Sequence, residues 1–157
     1  MVTTSSPERT EEVGAAWGAV LAAGDLLLLS GALGAGKTVL VRGIARGLGV
    51  DHGVRSPTFA IHLTYPGRLL LHHLDLYRVT DARDLDELGL DDLLREDGPV
   101  GAFAGDGVVV VEWGERLGAA SPPWAVRVRF EEPTPGTREL HVTGAVGVVR
   151  RLLGGGR

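Results

Sequence analysis

Leu26-Leu27-Leu28-Leu29-Ser30-Gly31-Ala32-Leu33-Gly34-Ala35-Gly36-Lys37-Thr38 is the stretch that decides the fold. The leucine run is strand-sized and apolar throughout, as in a strand buried on both faces. A glycine-rich turn follows, and residues 37–48 read as a helix. Glycine, four residues and then Gly-Lys-Thr, set between a strand and a helix, is the phosphate-binding loop pattern. Glycine is required because main-chain N–H groups must converge on phosphate oxygens without side chains intervening. The helix start adds partial positive charge at the same place. In this pattern Lys37 reaches the β- and γ-phosphates of a nucleoside triphosphate, and the Thr38 hydroxyl ligates magnesium. Gly34, Ala35, Gly36, Lys37, Thr38 and Val39 are the expected nucleotide contacts.

A magnesium site needs further oxygen, usually a carboxylate at the end of a buried strand. Val108-Val109-Val110-Val111-Glu112 supplies one, with its only acid at the C-terminal end, where ligands gather in open α/β sheets. Glu112 is therefore a candidate to hold magnesium or to orient an attacking water. Asp75, in His72-His73-Leu74-Asp75-Leu76-Tyr77-Arg78, also ends an apolar run. It reads either as a second functional carboxylate or as a turn-starting aspartate paired with Arg78. Which carboxylate would position water is open at this point. His72 and His73 are adjacent, so in a strand they face opposite sides and do not form one ligand pair. Ser56-Pro57-Thr58-Phe59 places hydroxyls after the second helix, either in a phosphate-sensing segment or in a plain turn entering a strand.

Outward from these motifs, Ser6-Pro7-Glu8 reads as an N-cap, a first-turn proline and an acid matched to the helix dipole. Val13, Trp17, Val20 and Leu21 then recur at helical spacing up to Gly24. Residues 58–65 and 69–76 read as strands joined at Pro66-Gly67, an antiparallel hairpin. Residues 81–97 are acidic and helical in pattern, 98–107 read as an exposed loop, and Ser121-Pro122-Pro123 marks a break before strands at 126–130 and 139–142. Residues 1–6 and 154–157 read as mobile ends. With no internal repeat and no linker, the expectation is one α/β domain over 1–157: a P-loop NTPase fold with a mixed, mostly parallel sheet, flanking helices and an antiparallel hairpin.

The composition excludes several alternatives. The 157 residues include no cysteine, which removes disulfides, zinc–thiolate sites and a cysteine nucleophile. Apolar runs are strand-sized and the first nine residues lack the apolar centre of a secretion signal, so a cytoplasmic protein is expected. The net charge of −4 argues against gripping nucleic acid by its phosphates alone. The charge is uneven: twelve acids against three arginines over 75–115, then six arginines against three glutamates over 124–157. This reads as two solvated faces of opposite sign or as a face for a charged partner. Fifteen arginines accompany a single lysine, Lys37, and there is no asparagine or glutamine. The guanine-reading Asn-Lys-x-Asp motif and a catalytic glutamine are thereby ruled out, which disfavours a GTPase. A small kinase would need a lid of arginines, where 81–97 is acidic.

The segments at 31–38, 56–59, 73–78 (His-Leu-Asp-Leu-Tyr-Arg), 88–90 (Leu-Gly-Leu) and 112–113 (Glu-Trp) together resemble the TsaE (YjeE) family, the small ATPases of bacterial tRNA threonylcarbamoyladenosine synthesis. The agreement in order and interval spans roughly residues 10–138. The resemblance implies ATP and Mg2+ as cofactors and the TsaD and TsaB proteins as partners. It implies slow, partner-dependent ATP hydrolysis that resets that pair between turnovers, with tRNA engaged only through the complex. By the same resemblance Thr38 and Glu112 are magnesium-associated, Asp75 is important for activity, Thr58 is switch-like, and Thr10, Trp113 and Arg138 lie near the nucleotide. Two departures stand out: Ala32 replaces the family's usual polar or acidic residue after the first loop glycine, and residues 95–106 lengthen the connection before Glu-Trp.

Overall fold

A computed structural model describes residues 1–50, 53–56, 61–87 and 107–154. In chain order the elements are β1 (Val2–Thr4), α1 (Pro7–Val20), β2 (Leu26–Ser30), α2 (Lys37–Gly47), β3 (His62–Tyr65), β4 (Leu70–Asp75), α3 (Ala82–Glu87), β5 (Gly107–Glu112), a 3-10 segment (Gly114–Ala120), β6 (Val126–Glu131), β7 (Arg138–Thr143) and α4 (Val146–Gly154). The strands form one sheet in the order β1-β7-β6-β2-β5-β4-β3. Its centre, β6-β2-β5-β4, is parallel, and β3, β7 and β1 pair antiparallel at the edges. This is the P-loop NTPase architecture, with the hairpin at 62–75 as expected from Pro66-Gly67.

Burial on both faces explains the uninterrupted apolar runs of β2 and β5. Leu27, Leu29, Val108 and Val110 pack toward Trp17, Leu40 and Ile44 of the helical layer. Leu26, Leu28, Val109 and Val111 pack on the other face against Leu85 and Leu117. Each fully buried leucine or valine contributes about 1.5–3 kcal/mol.

The tightest packing in the helical layer involves no large side chain. Gly14 and Gly18 of α1 face Gly43 and Gly47 of α2 so closely that a Cβ on Gly43 would lie 2.1 Å from the Glu11 carbonyl oxygen, and one on Gly14 would lie 2.4 Å from that of Leu40. Four glycines, individually poor helix formers, thus allow backbone-to-backbone contact of the two helices. The Arg68 guanidinium donates to the carbonyls of Gly18 and Leu21, each at 2.7 Å, closing the C-terminal end of α1.

The N-terminal residues differ from the sequence-based expectation, and a helix not read from the sequence follows β7. Residues 2–4, expected to be mobile, form β1, which pairs with β7 while buried Thr4 shares a 2.7 Å hydrogen bond with Thr10 of α1. Residues 146–154 form α4, whose Arg151 meets both carboxylate oxygens of buried Asp25 at 2.6–2.7 Å. Residues 155–157 lie outside the described residues, as do 88–90, 95–106 and all but the first part of the acidic helical pattern at 81–97. No described helix is long and apolar enough to cross a membrane.

Candidate nucleotide-binding site

The C-terminal ends of β2, β4 and β5 open into a cavity of about 500 Å3. One wall is the turn between β2 and α2. Gly36, at φ 103°, sits at the N-cap of α2 in a backbone region that favours glycine, and it has no side chain to cap the helix. The first-turn amides of α2 are therefore left without a side-chain acceptor, the condition for receiving an anion.

Lys37 is buried behind this turn, its Nζ donating to the carbonyls of Gly31 (2.6 Å) and Ala32 (2.9 Å) and lying 3.9 Å from the centre of the Trp113 ring. Burial pushes the ammonium below its ordinary pKa, while Glu112, Glu115 and Asp75 oppose the shift. Trp113 itself has φ 59°, the only positive value at a non-glycine residue among those described. This turn out of β5 aims its ring back over the loop, where Tyr77 (5.3 Å between ring centroids) and the Arg116 guanidinium (5.1 Å from the Trp113 centroid) flank it.

The two carboxylates leave the sheet side by side, since Asp75 and Glu112 are register partners of β4 and β5. Glu112 is buried; its Oε2 accepts from the Thr38 hydroxyl at 2.9 Å and its Oε1 lies 2.8 Å from His73 Nε2. Asp75 Oδ2 accepts from the Ser56 hydroxyl at 2.5 Å and Oδ1 from the Tyr77 amide at 2.9 Å. Asp75 is thus tied to Ser56 and to its own turn, and among the described contacts no ion pair joins it to Arg78, which also lines the cavity.

Lys37, Thr38, Asp75 and Glu112 are therefore gathered at one place, and Gly34, Ala35, Gly36, Val39 and Trp113 share the cavity wall. Thr10 and Arg138 lie behind the loop instead. The Thr10 methyl group sits near Gly36, with its hydroxyl turned to Thr4 and the Ser6 carbonyl. Arg138 Nε donates to the Ala35 carbonyl at 3.1 Å. Thr58 lies outside the described residues. Two contacts were not read from the sequence. Ser56, two residues before Thr58, bonds Asp75, and the interval Ser-Pro-Thr offered either hydroxyl. His73 bonds Glu112, whereas His72 meets His62 at 3.0 Å, as the opposite facing of adjacent residues requires.

The model of the family "Threonylcarbamoyl adenosine biosynthesis protein TsaE" matches residues 4–140, which takes in the loop, both carboxylates and Arg138. The chain belongs to the TsaE family. Among TsaE proteins, that of Treponema pallidum is 36% identical over 137 residues, covering 87% of this chain and 95% of the relative. The TsaE of Mycobacterium tuberculosis is 41% identical over 128 residues, covering 79% and 74% of the two chains. In three dimensions the chain is similar to crystalline Bacillus subtilis YdiB, with a TM-score of 0.74 and 30% identity over 98% of this chain and 90% of the other. Membership of TsaE carries a role in tRNA threonylcarbamoyladenosine biosynthesis.

Proposed function

We propose that this TsaE protein is a cytoplasmic, magnesium-dependent ATPase that hydrolyses ATP slowly and uses the cycle to reset the TsaD–TsaB pair, meeting tRNA only through that complex. The observation that carries the reading is the convergence of Lys37, Thr38, Asp75 and Glu112 on one cavity beside uncapped helix amides. The donors fit magnesium: a threonine hydroxyl and a carboxylate 2.9 Å apart, oxygen only, with no sulfur or nitrogen ligand required. Thr38 and Glu112 would hold the ion, which when bound supplies positive charge against the phosphate oxygens.

The remaining work falls to the chain itself. Loop amides and the α2 start bind the phosphates, and Lys37 exchanges its carbonyl partners for phosphate oxygens. The carboxylates divide by their partners. Glu112, tied to Thr38, serves the metal side, and Asp75, held by Ser56 and the Tyr77 amide, holds and orients the attacking water. Thr58 acts as the switch hydroxyl of the 56–59 segment. Thr10 and Arg138 back the loop beside the nucleotide.

The test is ATP turnover with and without TsaD–TsaB, using wild type and Glu112→Ala. Wild type should be slow alone and stimulated by the pair, and the variant should lose about 100-fold, the scale of one electrostatic element. Brisk turnover without partners, or GTP competing as well as ATP, would count against the proposal.

A further inference from the structure

Glu112 has two hydrogen-bonding partners among the described residues, and they differ in kind. Thr38 is a group that a bound magnesium would itself engage. His73 lies on the opposite side of the carboxylate, in the interior of the sheet, fully buried on β4 two residues before Asp75. Its Nε2 is 2.8 Å from Glu112 Oε1, whereas its Nδ1 is buried with no hydrogen-bond partner among the described residues. A buried N–H without an acceptor is rarer and more costly than a buried lone pair without a donor. The arrangement therefore assigns the proton to Nε2, pointed at Glu112, and the bare lone pair to Nδ1.

We propose that His73 is a positioning residue for the magnesium site, an inference that rests on the reading of Glu112 given above. By donating from Nε2 to Oε1, His73 fixes the rotation of the carboxylate, so that Oε2 is presented to Thr38 and to the loop. Without this donor, Glu112 is a buried carboxylate held at one oxygen, and its ring-side oxygen must find another partner by rotating. Partners of ligating carboxylates typically alter metal affinity about 10- to 100-fold when removed. The phosphate cradle, made of main-chain amides and Lys37, does not involve His73.

The test compares His73→Leu, which keeps bulk and removes the donor, with His73→Gln, whose amide N–H reaches to about the Nε2 position. ATP binding is titrated by calorimetry over a magnesium series and in EDTA. His73→Leu should raise the magnesium concentration for half-maximal tightening at least tenfold and change affinity in EDTA by less than about twofold. His73→Gln should recover most of the loss. In a Glu112→Gln background His73→Leu should add nothing further. Equal losses with and without magnesium, or Gln no better than Leu, would mark a merely structural histidine and overturn the proposal. A wild-type magnesium response in His73→Leu would overturn it as well. Wild-type binding indifferent to magnesium would instead remove the reading of Glu112 and this inference together. Nitrogen NMR of the unmodified protein provides a check independent of variant folding: Nε2–H is expected, and an Nδ1–H tautomer refutes the assignment.

Discussion

Asp75 and Glu112 stand directly opposite each other in the parallel ladder of β4 and β5, yet they share no side-chain hydrogen-bond partner among the described residues. Glu112 is bound to the helix that follows the phosphate loop and to a histidine of the sheet. Asp75 is bound to Ser56 and to the turn that starts at its own strand end. Two neighbouring carboxylates with separate supports can take separate duties, one toward a cation and one toward a water.

That separation predicts distinct kinetic signatures. Asp75→Asn should lower kcat by about 100-fold and leave the affinity for magnesium–ATP within about threefold. Ser56→Ala removes a hydrogen bond to a charged oxygen and should cost about tenfold in kcat. Steady-state turnover combined with calorimetric affinity checks both. An affinity loss matching the rate loss would place Asp75 among the nucleotide-holding groups instead.

Lys37 predicts a proton linkage. Burial holds its pKa below 10.5 in the free protein, so the charged form is disfavoured there. Phosphates beside the ammonium favour the charged form and move the pKa back up. As pH rises through the free-protein value, ATP binding should take up as much as about one proton. Calorimetry in buffers of different ionisation heat reads this uptake directly, and Lys37→Ala should abolish it along with most of the affinity.

The α1–α2 contact predicts steep costs for small changes. Gly14→Ala or Gly43→Ala should each destabilise the fold by about 1–3 kcal/mol, since the added methyl meets backbone that has nowhere to go. Gly147→Ala in α4, with open space at its Cβ position, should be neutral or stabilising by about 0.5–1 kcal/mol. Urea denaturation of the three variants would measure the contrast, and equal effects would contradict the geometry.

The terminal helix predicts an effect of similar size. Arg151→Ala leaves the buried Asp25 carboxylate with the Ala22 amide as its remaining described partner. Because Arg151 is itself partly exposed, the expected loss is about 2 kcal/mol, below that of a fully buried pair. Thermal melting of the variant, with Arg151→Lys as a partial rescue, checks it.

Local signals made much of this fold legible. The leucine and valine runs, the glycine loop and Pro66-Gly67 each encode their own geometry within a few residues, and β2, β5, α2 and the β3–β4 hairpin follow from them. What escaped depends on contacts across the chain. β1 is a strand only because β7 and Thr10 receive it, and Val2–Thr4 is too short to announce itself. Gly14, Gly18, Gly43 and Gly47 look like helix weaknesses until the partner helix is in place. In the site, the chemistry-bearing types at strand ends were readable from position. His73 and Ser56 were not, because their roles come from which side chain lies across the sheet or loop. The left-handed turn at Trp113 escaped as well, because the residue that takes the positive φ is the tryptophan and not Gly114, which follows it.

Where Gly14 and Gly18 meet Gly43 and Gly47, α1 and α2 touch backbone to backbone, and the two helices are expected to move as a single slab. Lys37 and Thr38 stand on the end of that slab like fittings on an anvil. Any adjustment to a bound nucleotide is then expected across the groove, in the pieces carrying Ser56, Tyr77 and Trp113.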